Sequence, residues 1–172
     1  MKQRIFRMAL FLVIAIAATA FMVACKQAEE INGARYTVLH GAEAAKALDQ
    51  CSRPAIEGVS GTWNPSAAVI RQLESDLPKL AALKAEMATD RYSASSRTDE
   101  LENGYRQYVG LVVHGRHVIY INAWRSHRSM PGHEDDWRHK AVNMCDGGSA
   151  YWGALYDPST RSFSNFETNG VA

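Results

Sequence analysis

Two cysteines in the body of the chain, Cys51 and Cys145, are candidates for covalent chemistry. A thiol beside a histidine can act as a nucleophile, because a basic or positively charged neighbour increases its thiolate fraction. The chain has no Cys-x-x-Cys motif, and its first residues are typical of an exported protein, for which an oxidising compartment is expected. These features favour a structural disulfide. We expect the Cys51–Cys145 bond to join the segment before a long helix to a central or penultimate strand.

The densest group of potential metal ligands lies between residues 127 and 139. Histidines and carboxylates suit zinc and other divalent cations. However, no short ligand pattern such as His-Glu-x-x-His is present, and Pro131-Gly132 interrupts the segment. The sequence therefore predicts a solvated loop, with no metal and no cofactor. The residues of this group are His127, His133, Glu134, Asp135, Asp136 and His139.

Aromatic residues recur on the predicted strands, where some must belong to the core. A subset on one exposed sheet face would form a rigid amphipathic patch that could hold a protein partner or a glycan. The candidate binding surface comprises Tyr108, Arg116, Trp124 and Trp152.

The N-terminus has the pattern of a secretory signal: Lys2, Arg4 and Arg7, then an apolar stretch and small residues. Met22-Val23-Ala24-Cys25 resembles the lipobox of bacterial lipoproteins, in which the cysteine takes a diacylglycerol and becomes the mature N-terminus. Two alternatives remain: cleavage after Ala20, which fits the A-x-A rule, or an uncleaved anchor, which would be near the lower length limit for a span. Lipidation of Cys25 leaves an even pair of cysteines for the disulfide.

The lipobox resemblance implies a membrane-anchored protein of the cell envelope. No aspartate follows the cysteine, which favours the outer membrane, facing the periplasm. We expect residues 1–24 to be the signal peptide, 25–34 a lipidated tether and 35–172 one domain. The formal net charge is only +1, from 19 Lys and Arg against 18 Asp and Glu, and no basic cluster is evident. This balance argues against a nucleic-acid partner, which requires clustered cations.

Apolar residues at three- and four-residue steps after Pro65 predict a long amphipathic helix, capped by Asn64 and kinked or broken near Pro78. Tyr105–Val113 and Arg116–Trp124, joined by His114-Gly115, form the clearest hairpin. Both of its faces are largely apolar, so it should be central in the sheet. Further strands are predicted at residues 35–40, 141–146, 150–157 and 161–168, and a short helix at 41–49.

The expected fold is α+β: a long N-terminal helix packed on a four- to five-stranded antiparallel meander, cystatin-like or similar. Phrases such as Gly61-Thr62-Trp63-Asn64-Pro65 and Cys145-Asp146-Gly147-Gly148 are similar to those of uncharacterised lipoproteins from Gram-negative bacteria. This resemblance covers most of the mature domain and implies no activity. Because no catalytic set converges in the sequence, we expect a non-catalytic binding or inhibitor-like module. The alternative is a metal-assisted or Cys/His hydrolase of the envelope.

Overall fold

The computed structural model describes residues 35–87, 104–125 and 136–170, with the backbone alone for residues 81–87. Two α-helices, six strands and two short 3-10 helices occur in these ranges. The 3-10 helices are Asp136–Arg138 and Gly148–Ala150. The longer elements are β1 (Tyr36–Val38), α1 (Gly41–Leu48), β2 (Val59–Thr62), α2 (Ala67–Met87), β3 (Tyr105–Val113), β4 (Arg116–Trp124), β5 (Tyr151–Asp157) and β6 (Ser162–Thr168).

The strands form one mixed sheet in the order β1-β3-β4-β5-β6, and β2 also pairs with β3. β1 is parallel to β3 along residues 106–108, whereas β2 is antiparallel to it along residues 111–113. The two short strands therefore share one edge of β3. Between them Gly110 accepts a hydrogen bond from the Trp63 backbone N–H at 3.1 Å. A β-carbon at Gly110 would lie 2.2 Å from the Trp63 carbonyl oxygen, so this crossing requires glycine.

The predicted fold, a long N-terminal helix on a four- to five-stranded antiparallel meander, is wrong. Two strands precede α2, both belong to the sheet, and the pairing of β1 with β3 makes the sheet mixed. β2 lies in a segment for which no strand is predicted. The cystatin-like comparison therefore has no support in the observed topology.

The expected strand at residues 141–146 is also absent, and this segment is irregular. Side chains form the hydrogen bonds to its backbone that a neighbouring strand would form in a sheet. The Val142 carbonyl accepts bonds from Asn122 Nδ2 at 2.8 Å and Gln50 Nε2 at 3.1 Å, and its N–H donates to Gln107 Oε1 at 2.9 Å. Cys145 consequently lies in an irregular segment before β5 and not on a strand.

The β3–β4 hairpin confirms the predicted register, with Leu111 opposite Val118 and Tyr105 opposite Trp124. Its turn residues, His114 and Gly115, have φ of 48° and 76°, as a tight two-residue connection requires. The expected central position of the hairpin is confirmed as well, since β3 and β4 are flanked by partners on both sides.

Helix α2 covers one face of this sheet. It begins after Ser66, whose hydroxyl accepts the Val69 N–H at 3.4 Å, so the predicted cap at Asn64 is displaced by two residues. The helix continues through Pro78, and the predicted break does not occur. The core on this face joins apolar residues of the helix to those of the central strands: Ile70, Leu73, Leu77 and Leu80 with Tyr108, Ile119, Ile121 and Tyr156.

Two ion-pair networks connect α2 to the sheet. Glu74 accepts hydrogen bonds from Arg106, at 2.9 Å from Nη2, and from the Tyr108 hydroxyl. Asp76 accepts two bonds from Arg161, at 2.7 and 2.9 Å. The helix is therefore fixed on the sheet by charge pairs as well as by apolar contact, and the opposite face of the sheet is left for other elements.

That opposite face packs against α1 and the irregular segments around it. The core there is composed of Leu39, Ala44, Ala47, Val109, Leu111, Val113, Val118, Tyr120 and Leu155. It also contains buried polar side chains, among them Arg53, Gln107 and Asn122. This polar part of the interior leads to the candidate site.

Candidate functional site

A surface groove of about 630 Å³ lies on the α1 side of the sheet. It runs between residues 54–57, the turn end of the β3–β4 hairpin and the adjoining ends of β5 and β6. Its volume is in the range of small-molecule binding sites. The lining is partly apolar and partly polar: Pro54, Ala55, Ile56, Glu57, Val113, His114, Arg116, Val118, Leu155, Asp157, Thr160, Ser162, Ser164 and Asn165.

At its inner end the groove adjoins a smaller cavity of about 60 Å³, with which it shares several wall residues. A single water needs only about 10–15 Å³, so this inner cavity can hold several water-sized groups. Its walls add polar side chains that the outer groove does not have, namely Arg53, Tyr120 and Glu167, to the backbone of Gly153. The groove and the inner cavity together form the candidate site.

The Arg53 guanidinium lies against strands β4 and β5 at this inner end. Its Nη2 donates a hydrogen bond to Asn122 Oδ1 at 2.6 Å, and its Cζ lies 5.9 Å from the centre of the Tyr120 ring. Gly153 provides the space, since a β-carbon there would lie 2.3 Å from Nη1. The guanidinium is thus held on three sides by an amide, an aromatic ring and bare backbone.

Arg53 is 9% exposed, and two of its guanidinium nitrogens, Nε and Nη1, have no hydrogen-bond partner in the described part of the chain. No described carboxylate forms an ion pair with it. Burial lowers the pKa of Arg53, and the nearby Tyr120 only partly opposes this effect. A buried cation without a counter-charge costs several kcal/mol in folding. Arg53 is therefore a destabilising group that the fold retains.

A disulfide fixes the chain just before this arginine. The sulfur atoms of Cys51 and Cys145 are 2.15 Å apart, as the predicted disulfide requires. The next residue, Ser52, donates a hydrogen bond from its hydroxyl to the Cys145 carbonyl. Since Arg53 follows directly, its backbone position is set by the bridge. While the bridge is closed, neither cysteine can act as a nucleophile.

A second set of contacts fixes the acceptor of the Arg53 bond. Asn122 Nδ2 donates to Gln107 Oε1 at 3.1 Å, which leaves Oδ1 directed at the guanidinium. Gln107 is fully buried and donates through Nε2 to the Trp137 and Lys140 carbonyls. The amide oxygen that binds Arg53 is therefore held by its own network and is not free to turn away.

No family model, curated protein or solved structure matches this chain. Within the described ranges, no helix is both long and apolar enough to cross a membrane. The same ranges contain no group of three or more histidine, cysteine and acidic residues that could hold a metal ion.

The structure places most of the predicted binding surface inside the protein. Tyr108 and Trp124 are completely buried and Trp152 is 3% exposed, so these three side chains are not on a surface. Tyr108 and Trp152 belong to the core under α2, and Trp124 packs with Trp137 and Tyr151 in a separate cluster. The apolar pattern on both faces of the strands therefore reflects core packing and not an exposed patch. Only Arg116 is exposed, and it lies at the groove rim, 3.3 Å from Asp157.

Several other predicted residues fall outside the described part of the chain. These include Cys25 with the whole leader and tether, and His127, His133, Glu134 and Asp135 of the loop. Asp136 and His139 are described. Asp136 pairs with Lys140, and His139 donates its backbone N–H to the Asp136 carbonyl at 2.9 Å.

The main residues of the inner cavity are absent from the sequence prediction. From the sequence, Arg53 is expected in a loop. Tyr120 and Gly153 are expected on strands, Tyr120 as a residue of the core. Only the position of Arg53, two residues after a cysteine expected to form a disulfide, could have indicated a fixed side chain. That no described carboxylate pairs with it becomes visible only in the folded chain.

Proposed function

We propose that this protein is a non-catalytic binding module of the cell envelope, held on the outer membrane by a lipid at Cys25 and facing the periplasm. The groove with its inner cavity is the binding site. The lipobox resemblance supports the anchor and location. The groove supports the binding role, because its volume suits a small ligand or a segment of a partner.

The observation that carries this proposal is the buried guanidinium of Arg53 at the inner end of the groove. A fold that needed only stability would gain by replacing an unpaired buried charge with an apolar side chain. Arg53 lines a cavity, and a disulfide and an amide network fix its position. Ligand binding at this cavity explains why the fold retains a cation that reduces its stability. Groups that reduce the stability of the fold in this way are commonly found at functional sites.

Photo-crosslinking from inside the groove tests the proposal in cells that produce the full-length protein. Ser164 is exposed and lines the groove, so benzoylphenylalanine at this position would face any bound molecule. Ser75 is an exposed residue on α2, on the other side of the sheet, and provides the matched control. Adducts are detected by intact-mass analysis of the protein after purification in detergent.

We expect one adduct of defined mass from position 164 and none from position 75. The mass distinguishes a small ligand from a protein partner. The absence of an adduct at position 164, or the same adducts at both positions, would overturn the assignment of the groove as the binding site.

A further inference from the structure

We infer that the inner cavity is a carboxylate-binding site, in which the Arg53 guanidinium pairs with a carboxylate group of the ligand. This inference rests on the proposed function and specifies the chemistry of its ligand. A carboxylate is the natural partner of a guanidinium, whose planar set of N–H donors matches two carboxylate oxygens. Nε and Nη1 have no hydrogen-bond partner in the described part of the chain, and both are covered by neighbouring atoms. A ligand carboxylate would therefore pair with them after a small shift of the guanidinium toward the cavity.

Three other arginines of the fold show what is missing at this position. Arg106 is 3% exposed and its Nη2 lies 2.9 Å from Glu74. Arg161 binds both carboxylate oxygens of Asp76, and Arg116 lies 3.3 Å from Asp157. Among the described residues, Arg53 has only the neutral amide oxygen of Asn122 as a hydrogen-bond acceptor. A ligand carboxylate would therefore supply a counter-charge of the kind that these three arginines have.

The cavity walls favour a singly charged group over a phosphate. Glu167 lies on the same cavity as Arg53, so one negative charge is already present on the wall. A dianion would be repelled by this carboxylate about twice as strongly as a monoanion. Arg53 is also the single cation of the cavity lining, whereas phosphate sites commonly combine several cations or backbone N–H donors.

The outer groove indicates what is attached to the carboxylate. Ile56, Val113, Val118 and Leu155 provide apolar walls between the inner cavity and the open end. A short apolar chain that ends in a carboxylate would lie against these walls with its charged end at Arg53. Both a peptide with a free C-terminus and a small organic acid have this chemistry.

Nuclear magnetic resonance of the Arg53 side chain provides a direct test on the full-length lipidated protein in detergent. Its Nε–H signal is identified by its loss in Arg53→Gln. Four probes are titrated separately: trialanine, trialanine amide, butyrate and inorganic phosphate. Because the response to each probe is observed in the unchanged protein, the variant is needed only to assign the signal.

Affinity measurements on variants give the second readout. Loss of a charge-assisted pair should weaken trialanine binding about ten- to a hundredfold in Arg53→Gln. Lys46→Gln is the matched control, since Lys46 is exposed, pairs with Glu43 on α1 and does not line the site. We expect its affinity to stay within about twofold of the unchanged protein, because exposed ion pairs contribute little.

A saturable shift of the Arg53 signal with trialanine but not with its amide supports the inference. If butyrate also shifts the signal, the carboxylate group alone is sufficient for binding. A shift with trialanine and not with butyrate identifies the ligand as a peptide C-terminus. A shift with butyrate and not with trialanine identifies it as a small organic acid. Equal binding of the amide, a response to phosphate alone, or no shift with any probe would overturn it. Crosslinking from position 164 would still decide the proposed function in that case.

Discussion

The backbone of Gly153 forms the floor beneath the guanidinium of Arg53, and a β-carbon at this position would lie 2.3 Å from Nη1. These residues are a hundred positions apart in the chain, and the contact joins an irregular segment to strand β5. Glycine within a strand commonly marks the close approach of another group, and here that group is a charged side chain.

Gly153→Ala should therefore displace the guanidinium while leaving the charge in place. Because the clashing atom is the end of a flexible side chain, the fold can adapt, and we expect only a small loss of stability. Binding of a carboxylate probe should fall about tenfold or more, since the guanidinium can no longer keep its position beside the cavity. Gly61→Ala is the control, because a β-carbon there meets no atom within 4 Å. Equal binding by both variants would contradict this account, and calorimetric titration measures it.

Arg53→Met should change the free energy of unfolding by less than about 1 kcal/mol in the absence of ligand. Removal of the unpaired buried charge stabilises the fold, and the loss of the bond to Asn122 Oδ1 offsets that gain. Arg106→Met should instead cost about 3–5 kcal/mol, because it leaves Glu74 without its partner. Chemical denaturation of both variants provides the comparison. A loss in Arg53→Met as large as that in Arg106→Met would show that Arg53 has a structural role.

Removal of the disulfide should weaken both stability and binding. The bridge joins residues 94 positions apart, and closing a loop of that length stabilises by up to about 4–5 kcal/mol in the chain-entropy model. The double variant Cys51→Ala/Cys145→Ala also releases the segment that carries Arg53, so its affinity for a carboxylate probe should fall. Non-reducing mass spectrometry checks the bridge in the unchanged protein. Two free thiols there, or unchanged affinity in the double variant, would refute the positioning role.

Local patterns predicted the centre of this fold well. The register of the β3–β4 hairpin followed from a two-residue turn and from alternation along both strands, because pairing across such a turn leaves little freedom. The short helix after residue 40 was found by the same kind of local reasoning.

The pairing along one edge of β3 was not predictable in this way. The strand predicted at residues 35–40 contains β1, but its parallel pairing with β3 was not predicted, and the four-residue β2 was missed. Residues 141–146 have an apolar start typical of a strand, yet buried amides of Gln107 and Asn122 bind their backbone instead. Arg53 was missed for a related reason, since its burial depends on contacts with β4 and β5, which are distant in the sequence.

Lipidation at Cys25 is tested by the mass and location of the mature protein. We expect intact-mass analysis to show loss of residues 1–24 and addition of a diacylglycerol to the new N-terminal cysteine. Cys25→Ala should abolish the addition and release the protein from the membrane fraction, since its anchor would be lost. Cys145→Ala serves as a cysteine control that keeps the lipid. Cleavage after Ala20 without lipid, or retention of the whole leader, would contradict the expected anchor.

Acid stability should depend on Asp76, which is buried at the contact between α2 and the β5–β6 turn. Hydrogen bonds from Arg161, and secondarily from Lys79 and Tyr156, hold the pKa of Asp76 well below its ordinary value of 3.8, although burial acts in the opposite direction. Because the pKa is lower in the folded than in the unfolded chain, this contribution is fully present at neutral pH. It is lost progressively as the pH falls below about 4.

Asp76→Asn should therefore lower the free energy of unfolding at pH 7 and reduce its decline below pH 4, since no carboxylate remains to be protonated there. Asp136→Asn is the matched control: Asp136 is half-exposed and pairs with exposed Lys140, so its substitution should alter neither value by more than about 1 kcal/mol. Denaturation across pH 2–7 checks both variants. An acid transition in Asp76→Asn as steep as that of the unchanged protein would show that other carboxylates govern it.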